Sequence, residues 1–159
     1  MNQFSHSQTL AINDQFSTDV ADLAITVNNH GSNSSSTSGY TAGGNVGPAI
    51  VKTITKFTFV TDSDSSSVAN LNETRQEHGS CSSFDNGYNW GGRPSPTILN
   101  SIEKFAFAND SNGTDVGDMI RPRYWMAGGQ NSTTHGYVSG GAQSPALKLA
   151  EIEKFPFAS

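Results

Sequence analysis

The side chains of this chain that could carry chemistry are its histidines, its acids, one cysteine and a few aromatics. The histidines are His6, His30, His78 and His135. None forms the HxxxH spacing that places two zinc ligands on one helical face. His30 and His78 occupy equivalent positions 48 residues apart, but Ala127 stands in the third such position, and His135 aligns instead with Ser38 and Asn86. A site that accepts His, Ser or Asn asks for a small polar turn residue, not a ligand or a base. Serines are abundant, yet no Gly-x-Ser-x-Gly elbow presents one as a nucleophile. The Gly-rich stretches lack the GxxxxGK[ST] and GxGxxG patterns of phosphate-binding loops.

Three Asp-centred loops offer the next candidates: Asn13-Asp14-Gln15-Phe16, Asp62-Ser63-Asp64-Ser65-Ser66 and Asp110-Ser111-Asn112-Gly113-Thr114. Asp62, Asp64, Asp110 and Asn112 stand at alternate positions, as oxygen ligands do in calcium loops. Neither loop has the Glu at position twelve that completes such a site. The simpler expectation is that these side chains close Asx turns between strands. No metal or other cofactor is therefore expected. Cys81 is the only cysteine, which excludes an internal disulfide and a CxxC site. The aromatics Trp90, Tyr124 and Trp125 depart from their counterparts elsewhere in the chain and are the ligand-binding candidates. Such rings can stack on a sugar or anchor a partner. Packing between repeats or subunits is the plainer expectation for them.

Composition narrows the function further. The net charge of −5 and the scattered Lys and Arg give no basic patch, so nucleic-acid binding is not expected. No stretch approaches 18 apolar residues, so no membrane insertion is expected. The opening Met1-Asn2-Gln3-Phe4-Ser5-His6 lacks the charged region and apolar core of a secretory signal. The expectation is synthesis in a cytoplasm without export by the ordinary route.

The elements that must position these residues repeat. Thr18-Asp19-Val20-Ala21-Asp22-Leu23 returns as Ser66-Ser67-Val68-Ala69-Asn70-Leu71 and as Thr114-Asp115-Val116-Gly117-Asp118-Met119, with the valines 48 residues apart. Gly39-Tyr40 before Gly43-Gly44 matches Gly87-Tyr88 before Gly91-Gly92 and Gly136-Tyr137 before Gly140-Gly141. Pro48, Pro96 and Pro145 follow. Then comes Ile54-Thr55-Lys56-Phe57-Thr58-Phe59, matched by Ile102-Glu103-Lys104-Phe105-Ala106-Phe107 and Ile152-Glu153-Lys154-Phe155-Pro156-Phe157. Residues 1–159 thus read as one repeat domain, with repeats 13–60, 61–108 and 109–159 and a degenerate strand in 1–12.

Each repeat reads as four short strands: one around Arg75 or Arg123, the Gly-Tyr-x-x-Gly-Gly run, the Ile-x-Lys-Phe-x-Phe run and the Val-x-x-Leu run. In the third, the two Phe share one face while Ile and Lys share the other. A strand wanted on both faces fits a sheet held between two similar sheets, which is the environment of a propeller blade. The expected fold class is all-β, with β-propeller blades and three four-stranded repeats. A β-trefoil is the alternative. The pairs Phe57/Phe59, Phe105/Phe107 and Phe155/Phe157 are expected to be buried.

The order Arg75, Tyr88, Gly91, Gly92, Ile102, Phe105, Val116 resembles a kelch-type blade, although ordinary kelch repeats carry Trp where this chain has Val20, Val68 and Val116. The runs Ile152 to Ser159, Gly113 to Asp118 and Ser132 to Gly141 resemble more closely the divergent kelch-like repeats of structural and fibre-like proteins of tailed bacteriophages, marine and cyanobacterial ones especially. That resemblance implies a non-enzymatic virion protein: a fibre, a tail accessory or a capsid decoration acting in assembly or host attachment. Its partners would be other virion proteins and a host surface glycan or protein. A soluble, lectin-like binding module is the alternative. Since closed propellers typically use four to eight blades, three repeats imply a homo-oligomer.

Overall fold

Alternating side chains and Gly/Asn/Ser turns give strands and no helix among the described residues. The structure is a computed structural model and describes residues 17–126, 128–145 and 147–157. The degenerate strand expected in 1–12, His6, the loop 13–16 and Ala127 lie outside these residues.

Strands β1 (Gly31–Ser34), β2 (Ser38–Val46), β3 (Ala49–Thr58) and β4 (Ser66–Asn70) form one sheet in the order β1-β2-β3-β4. Strands β5 (Gly79–Ser82), β6 (Asn86–Trp90), β7 (Ser101–Ala106) and β8 (Thr114–Asp118) repeat that order. The third sheet joins β9 (Gln130–Asn131), β10 (His135–Ser139) and β13 (Ile152–Pro156). Beside it lies a small ribbon of β11 (Ala142–Gln143) and β12 (Leu147–Lys148). All pairings are antiparallel, and among the described residues neither a closed barrel, which a β-trefoil requires, nor a closed propeller ring forms. Each four-stranded sheet takes its last strand from the start of the following repeat, so sheet borders are offset from repeat borders.

Two expectations about strands need correction. Arg75 and Arg123 do not lie in the first strand of their sheets, which begins four residues after Arg75 at Gly79. Their guanidinium groups need several acceptors at once, and a loop delivers them to such a place. Thr18 to Leu23 was expected as a strand but pairs with none. Its counterparts β4 and β8 are edge strands held by β3 and β7. No such third strand lies beside Thr18 to Leu23 among the described residues. The segment is tethered instead by Asp22 N–H donating to Asp64 Oδ1 at 2.9 Å and Ser65 N–H donating to Asp22 O at 2.9 Å.

The core sits in the seams between sheets. Tyr40, Ala42, Ile54 and Leu71 of the first sheet pack on Phe105 and Phe107 of the second. Tyr88, Trp90, Ile102 and Met119 of the second meet Val138, Phe155 and Phe157 of the third. Tyr40 stacks on Phe107 at 4.9 Å and meets Phe105 edge-on, and Tyr88 stacks on Phe157 at 4.9 Å. In the middle sheet the alternation of Ile-x-Lys-Phe-x-Phe makes the expected two-sided contact, with Phe105 and Phe107 against the first sheet and Ile102 against the third. Phe105 and Phe107 are buried, and Phe155 and Phe157 are half-buried. The pair Phe57/Phe59 corrects the expectation: Phe57 is half-buried and Phe59 is 47 % exposed, because among the described residues no sheet lies on that side of β3.

Glycine before each Tyr makes room for the Phe across the strand. Gly39, Gly87 and Gly136 pair with Phe57, Phe105 and Phe155, and a Cβ on any of them would lie within 2.4 Å of that ring.

Candidate functional site

Polar groups follow the seams as regularly as the aromatics do. The inner strands are laced together: Ser32 N–H donates to Ser80 Oγ at 2.9 Å, and Ser80 Oγ donates to Ser32 O at 3.0 Å. Asn33 Nδ2 donates to Cys81 O at 2.6 Å, and Ser34 N–H to Ser82 Oγ at 2.9 Å. Each of these bonds spans 48 residues, one repeat. The paired glycines extend the lacing. Gly43 and Gly44, like Gly91 and Gly92, are left-handed, and Gly44 N–H and Gly92 N–H donate to the carbonyls of Arg75 and Arg123. A Cβ on Gly43 or Gly91 would lie 2.7 Å from those carbonyl oxygens.

Two fully buried arginines, Arg75 and Arg123, lock the second and third sheets from within. Arg75 donates to the carbonyls of Gly91 and Ser101 and pairs with Glu103, which is buried and also accepts the N–H groups of Asn72 and Glu73. Arg123 repeats this with Gly140 O, Glu151 and Glu153. In the first sheet the corresponding residues are Val27 and Thr55, and Thr55 shares a 2.7 Å hydrogen bond with Thr41. The acids Glu103 and Glu153 were not singled out from the sequence. Their signal was there: Glu stands wherever the repeat has Arg, and Thr where it has Val.

His78 is not the turn residue it was expected to be. It is buried, and its Nε2 lies 3.2 Å from Asn89 Oδ1. Burial, reinforced by the Arg75 charge, pushes its pKa from 6.5 down to about 3. The folded protein thus holds it neutral, while the unfolded chain takes up a proton below about pH 6.5. Its contribution to stability is complete above pH 6.5 and is lost as pH falls toward 3. At about 1.4 kcal/mol per pH unit, wild type should lose ~2–3 kcal/mol more than His78→Gln between pH 7 and 4.5. Urea unfolding at the two pH values checks this, and equal losses would refute it. Cys81 is likewise buried, with its thiol pushed up to about 12, so it is no thiolate nucleophile at neutral pH.

The calcium-loop candidates lie apart, Asp62 and Asp64 just before β4 and Asp110 and Asn112 just before β8. Asp62 and Asp110 take left-handed φ angles of 44° and 49°. The Asp110 carboxylate receives Lys56 Nζ at 3.0 Å on both oxygens and Tyr40 Oη at 3.4 Å, joining the first sheet to the second. That carboxylate holds the Lys56 pKa above its ordinary value, and burial raises that of Tyr40. Asp64 Oδ1 accepts Asp22 N–H, and Asn112 Oδ1 accepts Asn70 N–H at 2.9 Å. Among the described residues no three His, Cys, Asp or Glu side chains gather as a metal ion would need.

The aromatic candidates divide. Trp90 is buried against the edge of Phe155, and Tyr124 is buried too, so neither presents a ring for stacking on a solute. Trp125 is 58 % exposed. It takes the left-handed place that Asn29 and Glu77 occupy in the other repeats. The backbone there is a ladder, with Glu77 N–H donating to Asn29 O and Trp125 N–H to Glu77 O, both at 2.9 Å. Arg93 lies over the Tyr124 ring at 4.7 Å and beside Trp125 at 5.8 Å. A shallow groove runs from Trp125 past Met126 to His30 and Asn29.

No protein-family model matches the chain, and no curated protein matches it.

Proposed function

We propose that this chain is a non-enzymatic structural protein of a tailed-phage particle, a fibre, tail-accessory or capsid-decoration component built of kelch-like β-propeller blades. One observation carries the reading. The residue types that elsewhere perform catalysis recur at the repeat spacing and are engaged in holding sheets together: Arg75 with Glu103, Arg123 with Glu153, Asp110 with Lys56. Catalysis requires a unique constellation, whereas architecture requires the same one in every unit. The blade reading is supported by the repeated four-stranded meander and by the third strand of the middle sheet, β7, which is packed on both faces. In this reading the protein is made in the host cytoplasm and resides in the virion, bound to other virion proteins. Mass spectrometry and antibody labelling of purified particles test it: the chain should copurify at fixed stoichiometry, and its absence from them would overturn the proposal.

The exposed Trp125 beside Arg93 favours a second reading, a lectin-like module that holds a host glycan or protein. Glycan-array binding by the purified chain that disappears in Trp125→Ala would favour it over a purely structural role.

A further inference from the structure

The contact between sheets is made twice by corresponding residues. Tyr40, Ile54 and Lys56 receive Phe105, Phe107 and Asp110 of the second sheet. Tyr88 and Ile102 receive Phe155 and Phe157 of the third. Each half of this contact occurs once more with no sheet against it among the described residues. On the first sheet it is Phe57, Phe59 and Asp62. There Phe59 is exposed, and a groove of about 250 Å³ opens along Ser34, Gly39, Thr41 and the two Phe. On the third sheet it is Tyr137, Ile152 and Lys154. Ile152 is 73 % exposed, whereas Ile54 and Ile102 are buried.

We propose that these halves join between two copies of this chain, head to tail, the Phe57/Phe59 face of one seated on the Tyr137/Ile152 face of the other. The charges match: Lys154 of one copy meets Asp62 of the other, as Lys56 meets Asp110 within the chain. The strands match too. Among the described residues β13 is paired only with β10, whereas β3 and β7 each carry a fourth strand. Thr18 to Leu23 has the sequence of those fourth strands. The pairs Lys56↔Ser66 and Lys104↔Thr114 set its register on the partner's β13 at Lys154↔Thr18. Leu23, now 40 % exposed, then takes the buried place of Leu71 and Met119. A head-to-tail contact leaves one open half at each end unless the assembly closes. Two copies related by a two-fold axis use both halves twice and leave neither open. This self-association goes beyond the virion role and does not depend on it.

Light scattering on the full chain should give twice 16.9 kDa. Lys154→Glu and Asp62→Lys should each give monomers with unchanged circular dichroism, and the double variant, with the charges exchanged, should dimerise again. A mixture of Thr18→Cys and Lys154→Cys copies should cross-link on oxidation, while each variant alone should not, since Cys81 is buried. A monomeric wild type overturns the proposal. If deleting residues 1–16 then yields a dimer, that segment is the occupant of the Phe59 face. A dimer indifferent to both charge variants and to cross-linking uses another surface, which also overturns it. An open ladder of oligomers broken by Lys154→Glu retains the contact and overturns the two-fold closure.

Discussion

Phe105→Ala is expected to lower the free energy of unfolding by about 3–5 kcal/mol, the range for truncating a buried aromatic. Phe105 is 1 % exposed and lies in the seam between the first two sheets. It meets Tyr40 edge-on at 5.5 Å and Phe107 at 5.6 Å. Its removal leaves a cavity walled by both sheets, which cannot collapse without shifting the seam hydrogen bonds. Phe59→Ala is the matched control, since its ring is half in solvent and the same truncation should cost far less in a monomer. Urea unfolding of both variants measures the difference. Equal costs would mean that the aromatic seam does not hold the sheets together.

Arg75→Val should cost a similar amount, about 3–5 kcal/mol, because it strands Glu103 as a buried charge without its partner. The first sheet suggests the remedy, since it has Val27 and Thr55 in these places. Adding Glu103→Thr to Arg75→Val removes the stranded carboxylate, and the double variant should be more stable than the single by roughly 0.5–3 kcal/mol. Recovery should be partial, because the carbonyls of Gly91 and Ser101 lose the donors that Arg75 supplied. A double-mutant cycle by chemical denaturation provides the test. Strictly additive losses would show that the two side chains are not energetically coupled.

Sequence reasoning reached the all-β class, the repeat spacing and the two-sided third strand of the middle sheet because these are periodic, and periodicity survives drift at single positions. It misplaced Arg75 and Arg123 because a repeated Arg shows that a contact is needed but not where the chain turns to make it. It took His78 for a turn residue because its counterparts, His30 and Ala127, differ between repeats. Its burial depends on Asn89, His30 and Gly92 meeting around it, which no local pattern encodes. Trp90 was read as a candidate ligand platform because it departs from Ala42 and Ser139. The departure is a packing one: the indole fills space beside Gly79 and Gly129, where a Cβ on either would lie within 2.3 Å of the ring. Trp125 was separable from Trp90 only once exposure was known. The unequal burial of the three Phe pairs was hidden for a related reason, since identical strands differ only in whether a neighbour covers them.

The 48-residue lacing of the inner strands also sets the order in which the molecule comes apart. Every sheet is bound chiefly to the sheet made from the adjacent stretch of chain, so cooperativity passes from neighbour to neighbour and not through one shared centre. The middle sheet, Gly79 to Asp118, has a partner on each side, and opening it requires breaking two seams. The outer sheets lose only one. In an isolated chain, amide protons of β6 and β7 should therefore be the last to exchange with solvent, and those of β3 and β13 should exchange through smaller, partial openings. Unfolding begins at the flanks and moves inward.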